Sequence, residues 1–162
     1  MIGLELMATS QLARPNTKAF IAEKSVRAAT LPVVVQELAD VLGRRLTAFI
    51  GGAKSLTEVE SGIANKTITS DAQFRLRTGL ELTRILLSRE QKDVVQAWFI
   101  GLNPLLRDSP VLMLEQRDPA TTREPLVRAS LAFLTVYSDD VDHSVRSDVD
   151  QLRTQRRRTL SV

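Results

Sequence analysis

Apolar residues recur at three- and four-residue spacing along most of this chain, and glycines and prolines punctuate the pattern. Pro32 opens the first such segment, where Val34, Val35, Leu38, Val41 and Leu42 line one face of a helix that should stop near Gly43. A second short helix is expected over Arg44–Ile50, followed by a Gly51-Gly52 turn. Next comes Ser55-Leu56-Thr57-Glu58, a capping box. Its Ser hydroxyl can accept from the backbone N–H three residues on, while the Glu reaches back. That helix should run from Leu56 to near Gly62. The order helix, glycine turn, capped helix is a helix-turn-helix pattern.

Asp71–Leu87 is the clearest helix, with Phe74, Leu76, Leu80, Ile85 and Leu86 on or beside one face and Arg75, Arg77 and Arg84 elsewhere. Gln91–Ile100 follows with Val94, Val95, Trp98 and Phe99. Gly101 is expected to end it as a left-handed residue. Asn103-Pro104 and Ser109-Pro110 each place a proline where a first helical turn accepts one. The stretch AWFIGLNPLLRDSPVLML therefore reads as three short helical pieces. Trp98, Phe99, Leu105, Leu112 and Leu114 are expected in the core, and the corners leave Asn103, Arg107 and Asp108 open to a partner. A last helix over Glu124–Val136 carries Leu126, Val127, Leu131, Phe133 and Leu134. No period-two pattern argues for a sheet, so the fold class is all-α.

At 162 residues the chain fits one folded unit with tails. The pattern divides it into an arm (1–30), a helix-turn-helix region (31–70), a helical partner-binding domain (71–138) and a charged tail (139–162). The arm is polar and broken by Pro15, with a short helix around Ala19–Arg27. Cysteine is absent, which excludes disulfides and thiolate metal sites. No leader-like segment or membrane-length apolar run is visible, so a cytoplasmic protein without a membrane partner is expected. A net charge of +3 permits nucleic-acid binding without requiring it.

Catalytic chemistry finds little support. His143, the only histidine, sits in the acidic stretch SDDVDHSVRSDVD with no second ligand to make a metal pair. GGAKS lacks the glycines of a phosphate-binding loop, because Ala53 and Ala48 occupy those places. Glu58/Glu60, two apart, and Asp139/Asp140, side by side, are read as surface charges. No catalytic residue, cofactor or metal site is assigned.

Binding is the better-supported class. The amino end of a recognition helix reads bases while nearby cations neutralise phosphate, which singles out Lys54, Ser55 and Thr57, with Arg44 and Arg45 on the preceding helix. Glu58 and Glu60 on the same helix oppose this by repelling phosphate. Arg153, Arg156, Arg157 and Arg158 form an acid-free basic run able to attract nucleic acid or an acidic protein surface.

Trp98, Asn103-Pro104, Leu105-Leu106 and Pro110-Val111-Leu112, after FRLRTGLELTRILL and the helix-turn-helix pattern, resemble the Xre/MbcA/ParS-like toxin-binding family. These are the antitoxins partnered with RES-domain toxins. The likeness runs from about Val33 to Leu134. It implies an all-helical fold, often a homodimer, whose amino-terminal part can bind its own promoter and whose carboxy-terminal part blocks an NAD-consuming toxin. The partner-binding residues it implies are Trp98, Asn103, Pro104, Arg107, Asp108 and Pro110. Where relatives tend to carry Arg-Trp, this chain has Glu58-Val59 ahead of Ser61-Gly62, a departure within the DNA-reading helix. A stand-alone DNA-binding regulator and an assembly component remain alternatives.

Overall fold

The computed structural model describes residues 17–136, which form eight helices and no strand. The first half of the expected arm lies outside the described residues, as does the tail with His143, Arg153, Arg156, Arg157 and Arg158. The expected all-α architecture is the one found.

The helices are α1 (Thr17–Ala28), α2 (Leu31–Leu42), α3 (Arg44–Ile50), α4 (Leu56–Ala64), α5 (Ser70–Leu87), α6 (Lys92–Ile100), α7 (Pro110–Gln116) and α8 (119–136). The 18-residue α5 is the axis of the molecule, and α1, α2, α3, α6 and α7 all pack against it. Its Leu76, Leu80, Leu82, Ile85 and Leu86 are 0–1% exposed. Burial extends well beyond one face, since Thr78, Gly79, Glu81 and Thr83 are buried too, whereas Phe74 is partly exposed. An α-helix enclosed this way places its polar side chains against neighbours, and each must find a partner there.

The arginines of α5 bridge to other elements, though Arg75 Nε is left buried without a partner among the described residues. Arg77 Nη1 donates to the carbonyls of Val26 (2.8 Å) and Ala29 (2.9 Å), closing the carboxyl end of α1. Arg84 forms a forked pair with Glu37 of α2, with contacts of 2.7 and 3.1 Å. Arg75 Nη1 reaches the Glu115 carbonyl in α7 at 3.0 Å. Half of the expected arm is therefore held firmly: Ala22 and Val26 of α1 are buried and Arg77 caps its end.

Helix ends follow local chemistry, with some departures from expectation. Gly43 (φ 85°) makes the sharp junction between α2 and α3, and Gly52 (φ 74°) lies in the turn before α4. Ser55 caps α4 by accepting from Glu58 N, but Glu58 Oε2 accepts from Lys54 N (2.9 Å) instead of from the cap residue. Gly62 does not end α4. The helix continues to Ala64, and Lys66 (φ 57°) supplies the left-handed residue beyond it. The last helix starts at 119, one turn and more before Glu124, and buries Leu126, Ala129 and Leu134.

The most buried charge in the fold is Glu81, whose side chain is 4% exposed. Arg123 of α8 donates to it through Nε (2.9 Å) and Nη2 (2.6 Å), and also contacts Glu23 of α1 at 3.1 Å. Burial pushes the Glu81 carboxyl above its ordinary value, and the hydrogen bonds and charge of Arg123 offset this only in part. Burial works against the charge on Arg123, but its bonds to Glu81 and the two nearby carboxylates outweigh that and raise it. The folded state thus binds the Glu81 proton more readily than the unfolded state does. This group's contribution to stability falls as pH rises from the ordinary carboxylate value through the raised one.

Removing Arg123 leaves Glu81 buried without its main partner. Arg123→Ala is expected to cost about 3 kcal/mol at neutral pH, and the loss should shrink in acid as Glu81 takes up a proton. Urea unfolding of both proteins at neutral and acid pH measures it; a loss independent of pH would contradict this account.

Candidate functional site

Among the clefts of the described surface, two bear on function. The smaller, ≈ 190 Å³ between α1, α5 and α8, is lined by Glu23, Arg27, Arg77, Glu81 and Arg123. These charges are already committed to one another or to backbone carbonyls, so this cleft is the seam of the ion network described above.

The larger is an open groove of ≈ 890 Å³ between α3 and the corner where α6 gives way to α7. Leu42 and Gly43 form one end, Arg44, Arg45, Leu46 and Phe49 line the α3 wall, and Ile100, Ser109, Val111 and Leu112 make the opposite wall. Its exposed apolar side chains are Phe49 (38%), Ile100 (62%) and Leu112 (37%). Leu102 and Leu105, still more exposed, continue the apolar surface along the chain from Ile100.

Local sequence explains why apolar groups are left outside. α3 has only seven residues, and it turns Thr47, Ala48 and Ile50 inward. Leu46 and Phe49, three residues apart, make a second apolar stripe on another side. α7 reads Pro-Val-Leu-Met-Leu, apolar around its whole circumference; Val111, Met113 and Leu114 are buried, and Leu112 is the one left facing out.

Side-chain bonds fix the position of the two walls. Lys92 Nζ donates to the Asp40 carbonyl (3.1 Å) and Gln96 Nε2 to that of Val41, so α6 caps the end of α2. The α6 to α7 connection is a bridged turn. Asn103 N donates to the Asp108 carbonyl at 3.0 Å, and Asn103 Oδ1 accepts from the backbone N–H groups of Leu105 (3.0 Å) and Leu106 (3.4 Å). Asp108 accepts from Ser109 N and from Arg117 (2.8 Å), and Ser109 caps α7 by accepting from Leu112 N.

This geometry corrects several expectations. The stretch from Ala97 to Leu114 is two helices joined by a turn: the Asn103 side chain caps a single turn, and the left-handed Arg107 with the Asn103–Asp108 bridge ends it before a third helix forms. Gly101 is extended (φ −70°, ψ 154°), and the left-handed residue of the segment is Arg107 (φ 54°). Trp98, Phe99 and Leu114 are buried as expected, but Leu105 and Leu112 are exposed. Asn103 is itself buried at 9% and so is not open to a partner as expected, whereas Asp108 is part-exposed and paired with Arg117.

The remaining predicted residues fall into distinct places. Trp98 packs edge-on against Phe99, ring centroids 5.3 Å apart, and its buried Nε1 has no hydrogen-bond partner among the described residues. Pro110 is buried in the first turn of α7, while Pro104 and Arg107 are exposed on the turn. Arg44 and Arg45 lie on the groove wall. Lys54, Ser55 and Thr57 lie at the start of α4, away from its lining. The structure therefore brings Arg44 and Arg45 together with Pro110's neighbours Ser109, Val111 and Leu112, and not with the α4 group. Phe49, Ile100 and Leu46 were missed as site residues, although the double stripe of α3 carries a signal for two of them.

No protein-family model, curated protein or solved structure matches this chain. Among the described residues no helix is long and apolar enough to cross a membrane, and no cluster of three or more His, Cys, Asp or Glu could hold a metal ion.

The turn sets the corner of the groove, and two substitutions there should act in opposite directions. Asn103→Ala should destabilise by about 1–2 kcal/mol by leaving the Leu105 amide without its partner. Arg107→Gly should stabilise by about 1 kcal/mol by relieving the left-handed conformation. Thermal or urea unfolding of each variant measures both; equal signs would refute the role given to the turn.

Proposed function

We propose that this chain is a non-catalytic binding protein of antitoxin type, which holds and blocks a RES-type toxin. The observation that carries the binding role is the open groove between α3, α6 and α7, whose walls expose Phe49, Ile100 and Leu112. An apolar patch kept in water costs about 25 cal/mol for each Å² that a partner would cover. The assignment of a RES-type partner rests on the likeness of the Trp98, Asn103-Pro104 and Pro110 spacing, and the groove adjoins that segment.

A second reading has one observation in its favour. Arg44, Arg45 and Lys54 are exposed and make no side-chain ion pair among the described residues, so they are available to phosphate. In that reading the chain is a DNA-binding regulator acting without a toxin.

Co-expression with the RES-type protein encoded beside its own gene separates the two. The antitoxin reading expects a co-purifying complex and rescue of cellular NAD and growth. Absence of such a neighbour, or of a complex with it, refutes that reading. The DNA reading expects salt-dependent binding to upstream DNA that weakens when Arg44, Arg45 and Lys54 are changed to Ala.

A further inference from the structure

We infer that the occupant of the α3/α6/α7 groove is an amphipathic helix of another protein, apolar on one face and carrying carboxylates beside it. This rests on the reading that the groove takes a partner protein. Three features select that chemistry.

The first is charge. Among the described residues Arg44 and Arg45 are the only ionisable groups lining the groove, and neither is paired with a described carboxylate. The walls thus present two free guanidinium groups and no acid. A partner bringing carboxylates beside its apolar face would gain two charge-assisted contacts where water is being excluded.

The second is shape. The groove is open along one side and its volume, ≈ 890 Å³, stands near the top of the range for small-molecule sites. Such a ligand is normally mostly enclosed, which an open trough does not do. Helices recognised in grooves insert side chains spaced i, i+3 or i+4, and i+7 between two walls. Here Phe49 of α3, Ile100 at the end of α6 and Leu112 of α7 are the exposed apolar side chains of one lining.

The third is the mismatch with other occupants. A second copy docked through the same face would bring two more arginines and no described carboxylate to it, and so supplies no counter-charge. A DNA backbone would meet three exposed apolar side chains and only two cations in the groove. An acidic amphipathic helix satisfies the apolar and basic groups together.

The test is selection from a displayed library of 18-residue helix-patterned peptides, randomised in charge and in apolar face, against the full chain. The expected binders carry Asp or Glu flanking apolar anchors at helical spacing. Their affinity should fall at least tenfold in the Arg44→Glu/Arg45→Glu variant, at least tenfold in Leu112→Asp, and several-fold in high salt. Ile100→Asp, at a more exposed site, provides the same test should Leu112→Asp fail to fold; circular dichroism and urea midpoints establish folding of each variant.

Enrichment of basic or uncharged helices, binding that the variants leave within twofold, or no enrichment overturns the inference. So does a dimer, seen by light scattering, that Leu112→Asp dissociates. A RES-type protein that still binds the Leu112→Asp and Ile100→Asp variants overturns this inference and leaves the proposed function standing. Acidic helices selected by a chain that ignores the RES-type protein have the converse meaning.

Discussion

An enclosed helix that is also charged governs this fold. α5 is surrounded by five other helices and held by a sixth, α8, through Arg123, yet it carries Arg75, Arg77, Glu81 and Arg84 among its leucines. A charge in that position is tolerable only with a fixed partner, so the surrounding elements are positioned to offer one: α1 its terminal carbonyls, α2 a carboxylate, α7 a carbonyl, α8 a guanidinium. Apolar packing alone would let these helices slide by part of a turn. Directional bonds from one axis fix which residue of each neighbour meets it, and hence where the surface clefts open.

The groove follows from the shortness of α3 and α7. A seven-residue helix has fewer than two full turns, and both of these are apolar on more sides than the core can cover. Their surplus side chains face each other across the α6 to α7 corner. The arginines at the start of α3 then lie at the same place as the apolar walls, which makes one surface of two features that are far apart in the chain. Glu58, by contrast, is drawn into the cap of α4 through Lys54 N, so part of the acidity of that helix serves its own amino end.

The helices were legible because their apolar positions repeat at the helical period over long segments and their caps are specific, as with Ser55 and Ser109. Boundaries were less so. Gly101 does stop α6, but in an extended conformation, and α4 runs two residues past Gly62; tertiary packing puts the left-handed residues later, at Lys66 and Arg107. The site was half legible. Its basic wall and the importance of the Pro110 segment could be read, but which apolar residues of α3 and α7 remain outside depends on the packing of all neighbouring helices. Asn103 shows the limit well: a polar residue between apolar ones reads as a surface corner, whereas its Oδ1 is spent on two backbone amides inside a bridged turn.

That bridged turn also decides how the groove wall behaves before anything touches it. A loop that becomes ordered only when a partner arrives weakens binding by the entropy it then loses. Here Asn103, Asp108, Ser109 and Arg117 have closed the loop during folding. The conformational entropy has already been lost, so association heat capacity at this surface should track the apolar area covered and carry no signature of coupled folding. The wall is preorganised, and its selectivity resides in shape as much as in charge.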